Sequence, residues 1–442
     1  MENTKPKMIL LSLVAAIIAY MLPLGLGDKA HVMLFVMIFV AALWISEALP
    51  LHATAIFAAF LLITLGGLNS KDVFAQYFDP VVVLLLGGFV IAVAMRKHGL
   101  DEYMAYRIIS KAGSSPRLMI LGLLATATFI SMWISNSATA AIIMPIAVVI
   151  LGRNFLKPGK SNIGKASVLA VGYGATIGGI GTIIGSTPNV IAAKFIQDAG
   201  IKFGFYEWLY RGFPFMVVLM LAGWLVLITF FKPEKKQIKA IKKAGKITTD
   251  QKKVLIVFVL TITLWITESM HGVSNAVVAL VPIVLLYFLG LLDTDDFTKV
   301  DWPTLILIGG GLALGLGIHT SSLDSSFASL ISNATGGQSI FILFIILGIF
   351  GVAFTSFISN TTAASVYLPI VVALASSFGA GVTNIVVVAA IGVSLDFVFV
   401  FGTPPTAIAY GTKYVSTKDI AKIGVTLSII GVILLALMSM MW

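Results

Sequence analysis

Thirteen apolar stretches run through the chain, at residues 8–27, 30–49, 51–69, 80–98, 117–151, 162–198, 211–231, 254–270, 273–292, 302–320, 338–377, 382–412 and 420–441. Most are close to the ~20 residues that carry an α-helix across a hydrocarbon core about 30 Å thick. The pattern predicts an all-α polytopic membrane protein. Four stretches are too long for one crossing, and each is interrupted. Ser135-Asn136-Ser137 breaks the first, within MWISNSATAAIIMP, and Ser359-Asn360-Thr361 breaks the third, within SFISNTTAASVYLP. A proline follows each of these polar islands at the same spacing, Pro145 and Pro369. The other two stretches are broken by Gly185-Ser186-Thr187-Pro188-Asn189 and by Gly402-Thr403-Pro404-Pro405-Thr406.

The two halves of the pattern are copies. Leu43-Trp44-Ile45-Ser46-Glu47 recurs as Leu264-Trp265-Ile266-Thr267-Glu268, Gly87-Gly88 as Gly310-Gly311, and Leu100-Asp101 as Leu323-Asp324. The islands and the Gly/Pro breaks recur in the same order, with every offset between 217 and 224 residues. One match means little, but an ordered set of five marks an internal duplication.

Composition removes whole classes of function. Only 11% of the 442 residues are charged and 59% are hydrophobic, against roughly 25% charged in soluble domains. With no cysteine there is no disulfide, thiolate catalysis or cysteine-ligated metal, and the five histidines (His31, His52, His98, His271, His319) show no metal-binding spacing. The stretch after the basic start at Met1–Lys7 is long enough to span, so no cleavable signal is expected. The net charge of +10 sits in loops, where it reports topology rather than nucleic-acid binding. If the N-terminus is inside and each island-bearing stretch is a re-entrant hairpin, 24 of the 29 lysines and arginines fall on the cytoplasmic side. The predicted outer segments 321–338 and 376–384 then carry no basic residue. Full spanning by those stretches would scatter the basic groups over both sides. The expected fold is therefore eleven transmembrane helices plus two re-entrant hairpins in two inverted repeats, with the C-terminus outside. The run from Lys232 to Lys253, with nine lysines, is a hydrophilic linker between the halves, near anionic lipid.

Polar groups inside a bilayer need partners, and the bland role for the islands is hydrogen bonding between helices. Close helix packing likewise accounts for Gly178, Gly179 and Gly181. Their occurrence in both halves, beside Thr-Pro breaks, favours a binding site. Proline removes a backbone donor and glycine permits unusual backbone angles, so helices should unwind there and leave half-helix N-termini with free N–H groups and partial positive charge. Four converging ends form an anion site, and the side chains of Asn136, Ser137, Ser186, Asn360, Thr361 and Thr403 can fix carboxylate oxygens. Unwound carbonyls with Ser131, Ser135 and Thr355 supply hard oxygen ligands for a small cation. No lysine or arginine lies beside either island in sequence. A dianion held by dipoles alone is costly in low dielectric, so cations at the same tips should bind with it.

The repeated Ser-Asn-Thr-type islands, the GSTPN and GTPP breaks and the inverted repeat resemble the divalent anion–sodium symporter family, which includes the INDY-type dicarboxylate and citrate transporters. The likeness covers nearly the whole chain. It implies a homodimer working as an elevator. The scaffold would comprise residues 1–115 and 254–336, the transport domain 116–232 and 337–442, joined by the 233–253 linker. It implies one sodium site on Ser131, Ser135, Asn136 and Gly185 and another on Thr355, Ile358, Asn360 and Gly402. Substrate falls on Asn136, Ser137, Ser186, Asn360, Thr361, Thr403 and Pro404. Sodium is then a co-substrate, with no other cofactor. Three departures stand out: Ser137 in place of threonine, Thr406 where the first half has Asn189, and Asp396 in an apolar helix six residues before Gly402. An intramembrane carboxylate is a functional candidate by default. Asp396 is a proton carrier, a cation ligand or a structural partner of Lys194, Lys413 or His319. Glu47 and Glu268, at equivalent helix ends, read as structural.

The expected activity is sodium-coupled secondary transport of C4 dicarboxylates (succinate, malate or fumarate, with α-ketoglutarate or citrate as extensions) across a cell membrane. The near alternative is a sodium-independent dicarboxylate exchanger. An intramembrane enzyme needs a nucleophile beside a base, and no histidine lies near either island in sequence. A channel fits two opposed hairpins less well than alternating access does.

Overall fold

The computed structural model describes residues 5–239, 245–324, 326, 339–375 and 381–442. Parts of the linker and of the two predicted outer segments, at 240–244, 325, 327–338 and 376–380, lie outside the described residues, as do the side chains of residues 373 and 374. Every regular element among the described residues is helical. The first half holds α1 (Lys5–Met21), α2 (Asp28–Ser46), α3 (Leu51–Thr64), the short α4 (Ser70–Ala75), α5 (Pro80–Lys97), α6 (Leu100–Ile109), α7 (Pro116–Ser131), α8 (Asn136–Arg153), α9 (Asn162–Gly178), α10 (Thr187–Asp198) and α11 (Phe205–Phe230). The second holds α12 (Thr249–Ile266), α13 (Glu268–His271), α14 (Asn275–Val278), α15 (Leu280–Phe288), α16 (Thr294–Phe297) and α17 (Trp302–Thr320). It continues with α18 (Ile340–Thr355), α19 (Asn360–Ala375), α20 (Val382–Val393), α21 (Pro404–Gly411) and α22 (Thr417–Ser439). Among the described residues six helices are long and apolar enough to cross a bilayer, and shorter apolar helices supply hairpin arms and half-helices.

Sequence-local signals set the helix starts. Asp79 accepts from Val81 N–H with Pro80 opening α5, and Ser115 accepts from Leu118 N–H with Pro116 opening α7. Thr248 with Gln251, and Ser416 with Asp419, form capping boxes at α12 and α22. The predicted crossing at 273–292 is divided at Ala279 into α14 and α15. Pro282 explains the interruption, because it has no N–H to give to the carbonyl of Val278.

The duplication reaches individual contacts. The buried indole of Trp44 donates to Leu51 O at 3.1 Å, and the buried indole of Trp265 donates to Asn275 O at 3.0 Å. The first ties the end of α2 to the first residue of α3, the second the end of α12 to the first residue of α14. Gly87 packs against Ala279, where an added Cβ would lie 2.5 Å from the carbonyl oxygen. Gly310 packs on Ala55, the repeat-equivalent alanine, where a Cβ would meet the methyl at 2.5 Å. So α5 lies on α14 and α15 of the other half, and α17 on α3. The halves exchange helices rather than sitting side by side.

Two apolar cores result. One joins α1, α2 and α3 to α17; the other runs from α5 through the remaining helices. In the second core α7 and α8 form a hairpin with its turn at 132–135, and α18 and α19 form another with its turn at 356–359. Helix α7 packs along α9, and α18 along α20. The half-helices cross over: α10 lies against α19 and α20, and α21 against α8 and α9.

Candidate functional site

The first island is a hairpin tip. Ser135 ends the turn in extended conformation and its hydroxyl accepts from Ala138 N–H, so Asn136 opens α8. Ser131, the buried last residue of α7, donates through Oγ to Asn136 Oδ1 at 2.8 Å and closes the tip. Helix α9 can approach this tip only because it ends in small residues. A Cβ on Gly178 would lie 2.1 Å from Thr128 O, and one on Gly179 would lie 2.6 Å from Asn136 Oδ1. The unwound stretch 179–186 folds back so that Gly185 rests on Gly179. Asn189 holds it there, donating to Gly179 O at 2.8 Å and to Thr182 O at 2.7 Å, while Thr182 Oγ1 donates to Met132 O at 2.5 Å. Packing and site-building are thus the same contacts at Gly178 and Gly179.

The second island repeats the construction. Thr355 is the buried last residue of α18, and its Oγ1 donates to Asn360 Oδ1 at 2.7 Å, as Ser131 does to Asn136. Ser359 accepts from Thr362 N–H and donates to Thr362 Oγ1 at 2.9 Å; Ile358 is buried in the turn. The second break spans 394–403. Thr403 is buried and shares a 2.9 Å hydrogen bond with Thr406, the residue that stands where the first half has Asn189. Pro404, first in α21, is exposed.

One contact joins the two systems directly. Thr187 Oγ1, at the start of α10, lies 2.5 Å from Thr361 Oγ1 in the second island. Asn136 abuts Gly179, Gly179 abuts Gly185, and Thr187 follows two residues later. The islands of the two halves therefore belong to one polar region, although 224 residues separate them in sequence. Ser137, Ser186 and Thr361 are half-buried there, Ser135 is exposed, and Ser131, Thr355 and Gly185 are buried. Thr187 was not singled out from sequence. At the 217-residue offset it aligns with Pro404, which conceals its hydroxyl as a repeated feature.

Chemically the region offers neutral hydroxyls, carboxamides, turn carbonyls and the N-termini of α8, α10, α19 and α21. The hydrogen bonds of Ser131, Asn136, Thr355, Asn360 and Thr361 run to neutral groups. Hard neutral oxygens suit a small monovalent cation, and helix N-termini suit an anion. Among the described residues there is no group of three or more His, Cys, Asp or Glu that could hold a metal ion.

Asp396 is not in a helix, as the sequence suggested: α20 ends at Val393, so Asp396 lies in the unwound second break, against Gly402, and is fully buried. Two of its sequence-level structural partners are committed elsewhere. Lys194 pairs with Asp79 at 3.2 Å and with Asp198, and His319 pairs with Asp324 at 2.8 Å. No bond to Lys413 forms either: both Asp396 oxygens are without a hydrogen-bond partner. A separate cavity of about 530 Å³ opens between α10, α17 and the far part of α19, lined by Lys194, Asp198, His319, Asp324 and Pro369. It lies toward the ends of α10 and α19 remote from Thr187 and Thr361.

The sequence matches the family model of the sodium:sulfate symporter transmembrane region over residues 2–442. It is 32% identical to the sodium-dependent dicarboxylate transporter SdcS of Staphylococcus saprophyticus, with 94% of this chain and 86% of that protein covered. Identity is 30% to the SdcS of Staphylococcus aureus, with the same coverage. It is also 30% to an uncharacterised transporter of Haemophilus influenzae, with 94% and 92% covered. The fold resembles the YdaH transporter of Alcanivorax borkumensis (TM-score 0.59, 12% identity, 83% and 86% covered). It also resembles MtrF of Neisseria gonorrhoeae (TM-score 0.60, 15% identity, 84% and 83% covered).

Proposed function

The chain belongs to the divalent anion–sodium symporter family, a family of membrane transporters and not enzymes, and we propose that it carries C4 dicarboxylates across a cell membrane in symport with sodium. The observation that carries this reading is the matched pair of bridged tips, Ser131–Asn136 and Thr355–Asn360, joined across the repeat by Thr187 and Thr361. In it, the carboxylates rest on Asn136, Ser137 and Ser186 from one half and on Asn360, Thr361, Thr403 and Pro404 from the other. Sodium occupies the tips, at Ser131, Ser135, Asn136 and Gly185 and at Thr355, Ile358, Asn360 and Gly402.

The electrostatics supply the coupling. A unit charge pair 4 Å apart is worth about 4 kcal/mol at an effective dielectric near 20. A helix N-terminus contributes only about 0.3–1 kcal/mol at an exposed position and up to ~2 when partly buried. Dipoles alone leave a dianion poorly compensated, whereas cations at both tips offset its charge. Anion and cations are therefore carried together, and the neutralised package can cross low dielectric.

Residues 116–232 and 337–442 form the moving domain in this reading, with 1–115 and 254–336 as scaffold in a homodimer. The N-terminus faces the cytoplasm and the C-terminus the outside. The test is succinate uptake into proteoliposomes with and without an inward sodium gradient, in the native protein and in Asn136→Ala and Asn360→Ala. Uptake should require sodium and vanish in both variants while each elutes as the folded oligomer; unchanged uptake in both removes the site. The second reading is the sodium-independent exchanger, in which the buried Asp396 carboxylate at the second break holds no sodium. Succinate counterflow with choline replacing sodium separates the two.

A further inference from the structure

The offset of 217 residues that aligns Gly185 with Gly402 and Ser186 with Thr403 also aligns Gly179 with Asp396. In the first half this position faces the cation-binding tip. A Cβ placed on Gly179 would lie 2.6 Å from Asn136 Oδ1 and 3.1 Å from Gly185 O. A side chain here is thus aimed between the island carboxamide and the glycine carbonyl of the break. The first half leaves that space empty of side chain. The second half fills it with a carboxylate, whose two oxygens each lie 2.5 Å from the ideal Cβ position of Gly402, the counterpart of Gly185.

The surroundings give this carboxylate no donor. Both oxygens are buried without a hydrogen-bond partner. The nearby Tyr173 hydroxyl is spent on Ile420 O at 3.0 Å, and its ring packs edge-on to Phe397. Ser394 donates to Ala390 O, and Thr403 is engaged with Thr406. Lys194 and His319 are paired with other carboxylates. An isolated carboxylate is costly to keep ionised in such a place unless a positive charge joins it. By the repeat, the counterpart of Asn136, which faces Gly179, is Asn360, whose Oδ1 is held by Thr355. A buried carboxylate without a donor, at a break that also exposes neutral turn oxygens, has the chemistry of a hard-cation ligand.

We infer that Asp396 is a charged ligand of the second cation position, so that the two positions differ: the first is neutral, the second anionic. The inference rests on the transport reading, which locates a cation at Asn360 and Gly402. It goes beyond that reading in the order of events. The anionic position fills with a small monovalent cation before any dicarboxylate arrives, and the neutral one fills only with substrate.

The test is thermal unfolding of the purified full-length protein, without dicarboxylate, across a sodium chloride series held at constant ionic strength with choline chloride. Native protein should gain melting temperature saturably. In Asp396→Asn the half-saturating sodium concentration should rise tenfold or more. Asp396→Gly, which restores the glycine of the first half, should do the same and serves if the amide misfolds. Half-saturation within twofold of native in either folded variant overturns the assignment, as does a native protein that neither sodium nor lithium stabilises over choline. Succinate uptake by native protein separates the two failures. If uptake is intact and the sodium series is flat, only the role of Asp396 falls; if native uptake is absent, the transport reading falls.

Discussion

Replacing Gly179 with alanine probes the site with a single methyl group. The new Cβ would sit 2.6 Å from Asn136 Oδ1 and 3.1 Å from Gly185 O. Ordinary van der Waals contact begins near 3.4 Å, so the carboxamide must retreat by about 0.8 Å. That movement stretches the 2.8 Å Ser131–Asn136 hydrogen bond past useful length and displaces the tip on which the proposed function places substrate and cation. Overpacking of this kind costs about 1–3 kcal/mol of stability, which a membrane protein with this much buried apolar surface should tolerate. Function should suffer more than folding, because misplacing a binding group by ~1 Å is expensive out of proportion to its energy. The assay pairs sodium-driven succinate uptake with thermal unfolding. Uptake should fall at least tenfold while the protein still unfolds in one transition within several degrees of native. Gly152→Ala, in α8 with nothing within 4 Å of its added methyl, is the control and should leave uptake unchanged. Uptake within twofold of native for Gly179→Ala would refute the packing of Asn136 against the break.

Two further outcomes follow from other contacts. Thr361→Val and Thr187→Val each remove one side of the only described hydrogen bond between those side chains. Each should raise the succinate KM several-fold, and the double variant should be little worse than either single, since the two share one interaction; additive effects would mean the hydroxyls act separately. Asp296, in the connection between α15 and α17, tests a separate charged cluster. It is buried yet bonded by Lys97, by Lys299 at 2.8 Å and by Asp293 N–H at 3.0 Å. Burial pushes its carboxyl up, but the bonds from Lys299 and Lys97 outweigh that and hold it below the usual aspartate range. A depressed folded value contributes stability that is complete above the unfolded value, about pH 4, and is lost as pH falls through and below it. Melting temperature should therefore drop in acid in the native protein, and Asp296→Asn should be less stable at neutral pH with a flatter acid limb. An acid limb of unchanged steepness would assign the loss to other carboxylates.

Sequence and structure agree where the signal is local. The islands and the Gly/Pro breaks are short patterns with one physical meaning, and each interrupts the helices where the pattern placed it. The repeat was legible because it was written in rare residues, Trp44 and Trp265 among them, whose indoles make equivalent bonds. What escaped depends on packing between distant segments. Thr187 gains meaning only from Thr361 on another hairpin. Gly179 reads as a packing residue until Asn136 is seen resting on it. Asp396 carried three candidate partners in sequence, and only the geometry shows Lys194 and His319 engaged elsewhere.

The most direct measurement is a cryo-electron-microscopy map of the protein saturated with sodium and succinate. Density for the dianion should lie between Asn136–Ser137 and Asn360–Thr361, touching both halves of the chain. Density in the cavity beside Lys194 and His319 instead, with the islands unliganded, would contradict the account.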